Sequence, residues 1–124
     1  TDFALDAEFK IALINDILAA KEMYVGRYYV DRKKWIAAIN RFKFVIDNYE
    51  TTIYVEEALH RLVEIYYIIG LEEEAKKYAS FLGYNYRSST WYENSYRVFD
   101  KNYEIKKIKK EDNNILKKFK SLFK

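Results

Sequence analysis

Apolar residues recur at intervals of three and four along most of the chain. Ala4, Ala7, Phe9, Ile11, Ile14, Ile17, Leu18, Val25 and Tyr29 keep that spacing, the period of an α-helix, and predict one long helix over residues 4–30. Asp31-Arg32-Lys33-Lys34 interrupts it as a polar turn, and Trp35 to Asp47 reads as the next helix. Residues 54–69 form a third, closed by Gly70, whose missing Cβ suits a helix C-terminus. Residues 72–82 form a fourth, with Glu72, Glu73 and Glu74 in the first turn, where the helix dipole favours anions. Residues 91–108 form a fifth and 113–123 a sixth. The expected fold is all-α.

The pattern repeats. Asn48-Tyr49-Glu50-Thr51-Thr52 returns as Asn85-Tyr86-Arg87-Ser88-Ser89, an offset of 37 that also carries Tyr29 onto Tyr66 and Ala38 onto Ala75. A second signature is a small hydroxyl residue, any residue, an aromatic, three more residues and a small one. It occurs from Thr1 to Ala7, from Thr52 to Ala58 and from Ser89 to Ser95, each time opening a helix. Thr90 and Glu93 have capping-box spacing. The chain begins at Thr1 rather than Met, which reads as a piece of a longer protein cut at a repeat boundary.

Composition narrows the chemistry. With no cysteine there is no disulfide framework, thiolate metal site or thiol nucleophile. A single histidine, His60, cannot build a two-histidine metal site. Glu57 and His60 have the E-x-x-H spacing of di-iron bundles, but those need two copies; the expectation is a polar His60 on an exposed helix face. No G-x-G-x-x-G or G-K-[ST] loop is present. No catalytic, cofactor or metal residue is assigned, and the chain reads as a non-enzyme. No proline and three glycines leave a β-fold without its turns. The longest apolar run, Ile65 to Leu71, falls far short of the roughly 20 residues that span a bilayer.

Charge is uneven: residues 101–124 carry nine lysines against three acids, whereas residues 1–100 carry a balance of −3. Ile105, Ile108, Ile115, Leu116, Phe119, Leu122 and Phe123 make that tail amphipathic. A basic tail of this kind serves nucleic acid, anionic lipid or simply a solvated helix face, and the last is the reading adopted. Residues 91–108 are expected to cap the fold, with a mobile end beyond.

Helix pairs near this spacing resemble tetratricopeptide repeats. One unit spans about residues 19–52, with Val25, Gly26, Tyr29, Ala38, Phe42 and Val45 at its marker positions; the next spans about 56–89, with Leu59, Leu62, Val63, Tyr66, Gly70, Ala75 and Leu82. Antiparallel helices are expected to meet at Gly26 and Ala38, where small residues let backbones approach. Glu22, Val63, Ala79, Glu50 and Arg87 depart from the usual pattern. The whole reads as a tetratricopeptide-like α-solenoid with a C-terminal capping helix, one domain over residues 1–110 followed by a lysine-rich tail over 111–124.

Glu22-Met-Tyr-Val-Gly-Arg-Tyr-Tyr-Val, Trp35-Ile-Ala-Ala-Ile-Asn-Arg, Asn48-Tyr49 and Val55-Glu-Glu-Ala-Leu together resemble the BamD (YfiO/ComL) family over about residues 1–98. The resemblance implies a scaffold of the outer-membrane β-barrel assembly machinery. It would sit on the periplasmic face of the outer membrane, held by an N-terminal lipid anchor that lies outside this fragment. Implied partners are a POTRA domain of the barrel-forming subunit BamA, a BamE-like lipoprotein and, through the whole protein, outer-membrane protein precursors, with no nucleic acid. Arg41 matches the arginine of the family's Asn-Arg motif, which the resemblance implies contacts the POTRA domain. Arg41 and Lys43 flank the buried position Phe42, and Tyr28 and Arg32 extend the same face. The competing expectation for Arg41 is a surface ion pair with Asp47. The alternative function is a generic adaptor binding an extended peptide in the concave groove, lined by Met23, Arg27, Val30, His60, Glu64 and Tyr67.

Overall fold

The computed structural model describes residues 1–101, which form five helices: α1 (Asp2–Asp31), α2 (Trp35–Asn48), α3 (Val55–Ile68), α4 (Glu72–Asn85) and α5 (Thr90–Phe99). Helix α1 packs on α2 and α3 on α4, α2 bridges to α3, and α5 lies against α3 and α4. The fold is all-α and tetratricopeptide-like. Its core is continuous: Ala19 and Met23 from α1, Ala38, Ile39, Phe42 and Val45 from α2, six apolar residues of α3 between Ala58 and Tyr66, and Ala75, Ala79 and Leu82 from α4. These positions recur at three and four because only that spacing keeps one helix face turned inward.

The offset of 37 reappears as geometry. Between α1 and α2 the Lys34 amide donates to the Tyr29 carbonyl at 2.9 Å; between α3 and α4 Leu71 donates to Tyr66 at 2.8 Å. The residue just before each donor is left-handed: Lys33 at φ 58° and Gly70 at φ 88°. At the far ends, Asn48 Nδ2 donates to the Phe44 carbonyl and Asn85 Nδ2 to that of Phe81, both at 3.0 Å. The Tyr49 and Tyr86 amides then close the two helices on Val45 and Leu82, both at 2.8 Å. Each asparagine side chain folds back onto the carbonyl one turn earlier, at the same place in both repeats.

Several boundaries differ from expectation. Helix α4 continues to Asn85 rather than stopping at 82, since the asparagine bond holds its last turn. The fifth helix, expected over 91–108, ends at Phe99, with Asp100 extended at φ −136°. Aspartate is a poor helix former, and its negative charge opposes the dipole at a C-terminus. The expected continuation to 108 and the helix over 113–123 lie outside the described residues. Ser89, not Thr90, caps α5, its hydroxyl accepting from the Trp91 amide at 3.2 Å. Thr1 caps α1, but Thr52 does not cap α3: an extra turn intervenes, and its hydroxyl donates to the Tyr49 carbonyl at 2.7 Å. The close approach at Gly26 is to Phe42, one turn beyond Ala38; a Cβ at Gly26 would stand 2.6 Å from the Phe42 ring.

Candidate functional site

Helix α2 presents Arg41 beside α1. Its Nη1 donates to Glu22 Oε2 at 3.0 Å, with the arginine side chain 43% exposed and the glutamate 17%. The hydrogen bond to Glu22, and then its charge, raise the Arg41 pKa above its ordinary value; the Tyr29 hydroxyl adds a smaller contribution. Tyr29 meets Tyr28 edge to face at 5.8 Å. The Arg32 guanidinium lies 3.6 Å over the Tyr28 ring, within the range of a cation–π contact. Arg32, Tyr28, Tyr29, Arg41 and Glu22 therefore form one continuous band across α1 and α2.

Two expectations about this face need correction. Asp47 is not the partner of Arg41, because six residues along α2 turn the side chain about 240° away; Glu22 on the neighbouring helix takes that role. Nor does Lys43 join the band. Two positions from Arg41, it points roughly 200° around the helix and places its ammonium 5.7 Å from the Tyr66 ring. Hydrogen bonding to Tyr66 raises its pKa, against the lowering effect of burial. Three of the four expected docking residues are brought together and the fourth is separated.

The concave row is tied up internally. Met23 and His60 occupy one repeat position, 37 apart, and both are buried rather than exposed. Met23 joins the core. His60 lies under α5, its Nδ1 2.9 Å from Ser95 Oγ, its Nε2 against Glu64 and its ring 5.3 Å from Trp91. Arg27 grips Glu57 with two bonds, Nε to Oε2 at 2.7 Å and Nη2 to Oε1 at 2.6 Å, and so links α1 to α3. Arg61 reaches the same carboxylate at 3.4 Å and Glu64 at 3.8 Å. Burial alone would raise the Glu57 pKa, but the hydrogen bonds and charge of Arg27, with those of Arg61, hold it below the ordinary value. Val30 packs against the core, and Tyr67 meets the Phe99 ring at 5.5 Å. An open hollow of about 420 Å³ remains beside His60, Glu64, Trp91 and Asn94.

Glu57 and His60 turn to different partners, Arg27 and Ser95, so the E-x-x-H spacing gathers no ligand set. Among the described residues no group of three His, Cys, Asp or Glu could hold a metal ion. No described helix is long and apolar enough to cross a membrane. In the sequence Glu22 stands out as a departure from the repeat and as the start of the family-like segment, and Tyr29 as a packing residue within that segment; nothing there marks either as a partner of Arg41. Nor does the sequence mark Ser95 as a partner of His60. Each acts across helices, where local spacing carries no signal.

A family model described as YfiO, outer membrane lipoprotein, matches residues 1–82. The chain is 57% identical over 104 residues to the outer membrane protein assembly factor BamD of Rickettsia prowazekii (strain Madrid E), a match covering 84% of this chain and 41% of that protein. It is 49% identical over 102 residues to the factor of the same name from Caulobacter vibrioides, covering 82% and 33%. With the BamD of Neisseria meningitidis serogroup A the identity is 34% over 98 residues. The chain spans between about a third and two fifths of the length of the first two relatives.

Proposed function

This chain belongs to the YfiO family of outer membrane lipoproteins, and from that premise we propose that it is a docking part of an outer-membrane protein assembly factor. It works as a non-enzymatic scaffold on the periplasmic face of the outer membrane. Its partner is a POTRA domain of a BamA-type barrel-forming subunit, with a BamE-like lipoprotein nearby, and the whole protein handles outer-membrane protein precursors. The observation that carries the reading is Arg41: a guanidinium bonded to its own chain through Nη1 and still 43% exposed. A planar guanidinium grips a partner carboxylate through two parallel bonds, and arginines are enriched among interface hot spots. The Tyr28–Arg32 stack beside it adds an aromatic and a second cation. The concave groove, by contrast, has its charges paired within the chain and Met23 and His60 buried.

Arg41→Glu reverses the charge at the centre of the band and should cost roughly 2 kcal/mol of binding; it also sets a second carboxylate against the mostly buried Glu22, so folding stability should fall by about 1–3 kcal/mol, and affinity is compared where both chains are folded. Titrating the POTRA domains of a BamA-type subunit against both chains decides it. Equal affinities would remove Arg41 from the docking surface.

A further inference from the structure

We infer that Glu22 is a positioning residue for docking: it fixes the Arg41 guanidinium so that the edge it leaves unengaged, Nε and Nη2, faces outward for a partner carboxylate. The inference rests on the docking reading above and adds to it the group on this chain that prepares the arginine.

The geometry divides the guanidinium in two. Glu22 Oε2 takes Nη1 at 3.0 Å, and a single carboxylate oxygen on one terminal nitrogen leaves the opposite edge outside that bond. Only the edge pairing Nε with a terminal nitrogen, or the two terminal nitrogens together, offers the parallel donors that a carboxylate accepts in pairs. Glu22 itself is well placed to act as a fixed post. Its side chain is mostly buried, it stands on the packed half of α1 one residue before the fully buried Met23, and it approaches Arg41 from a different helix. The Tyr29 hydroxyl, two turns further along α1, adds a smaller interaction with the same guanidinium.

An arginine held this way meets its partner with most of its rotamer freedom already lost. Immobilising a long side chain on binding weakens association by an amount that corresponds to roughly twofold to tenfold in affinity. Glu22 moves that loss into folding.

The test is a double-mutant cycle on this chain with Glu22→Gln, Arg41→Ala and the double variant, each titrated against the POTRA domains of a BamA-type subunit. Glu22→Gln keeps the shape and an acceptor oxygen but removes the charge. It is expected to weaken binding about threefold to tenfold in the native background and to have no effect once Arg41 is alanine. In the free chain, the Arg41 Nη1 protons that bond Glu22 should be sharp and protected from exchange, and should broaden in Glu22→Gln, a readout that a general loss of stability would not single out. Unchanged or tighter binding by Glu22→Gln, while Arg41→Ala weakens it, overturns the positioning role alone. A loss of equal size in both backgrounds also overturns it, since the effect then passes through the fold. If Arg41→Ala binds as the native chain does, the docking reading fails and the inference falls with it.

Discussion

Lys33 and Gly70 stand 37 residues apart in the same left-handed turn, at φ 58° and φ 88°. Glycine adopts that conformation freely, whereas a lysine there crowds its Cβ against the backbone at about 1–2 kcal/mol. Lys33→Gly should therefore stabilise the chain by about 0.5–1 kcal/mol after the extra unfolded-state entropy of glycine is counted. A raised urea midpoint with an unchanged denaturant slope would show it; a lowered midpoint would mean the lysine side chain contributes more than its strain. Gly26 is small for a different reason. Its conformation is ordinary, but the Phe42 ring fills the place of a side chain. Gly26→Leu should overpack the α1–α2 contact and cost about 1–3 kcal/mol, read as a lower melting temperature; an unchanged one would remove the proposed packing. Both glycines were legible in the sequence, Gly70 as a helix stop and Gly26 as a close approach. Lys33 was not, because nothing in a lysine announces a positive φ until the repeat is laid over Gly70.

At the scale of elements, the helices were read from spacing with little loss, because an inward face needs a three-four rhythm whatever lies opposite. The ties between helices were not readable. Arg27 and Glu57 are 30 residues apart, and His60 and Ser95 are 35 apart; only the packed pairs bring them within bonding distance. The Arg27–Glu57 pair joins the first repeat to the second and makes that joint sensitive to acid. Burial raises the Glu57 pKa, but the bonds and charge of Arg27 and Arg61 outweigh it, so the folded value lies below the ordinary 4.5. Glu64 is shifted the same way: burial raises it, and the bond to His60 and its charge bring it lower overall. A carboxylate with a depressed folded pKa stabilises the native state above its unfolded pKa, and that contribution disappears as the pH falls through the folded value. Stability should hold steady from neutral pH to about 5 and decline below the ordinary carboxylate range. Glu57→Gln is expected to be less stable at pH 7 and to show a shallower acid decline, measured by urea unfolding at a series of pH values. Parallel curves for the two chains would mean that the joint titrates through other groups.

Across the whole molecule, α1 is two helices in one. It runs 30 residues, about 45 Å at 1.5 Å per residue. Only its second half packs: Ala19, Met23 and Gly26 are buried, while every residue from 1 to 14 is exposed. That first half is apolar on several sides, with Phe3 90% exposed and Leu5, Phe9, Leu13 and Ile14 all at least half exposed. A helix apolar all round belongs in a packed interior, and a segment of this length has little helical stability of its own in water. The band proposed for docking lies wholly beyond it, from Glu22 to Arg32 on α1 and at Arg41 on α2. The projecting half should thus be separable from both fold and docking. Hydrogen exchange in the isolated chain should run near the unprotected rate over residues 5–14 and be slow over 23–31. Deleting residues 1–14 should change folding stability by no more than about 0.5 kcal/mol and leave POTRA affinity unaltered, because no described contact of the core or of the band passes through it. A loss well beyond that in stability would show that the projecting half supports the α1–α2 pair. Lost affinity with stability intact would move part of the partner surface onto Phe3, Phe9 and their neighbours.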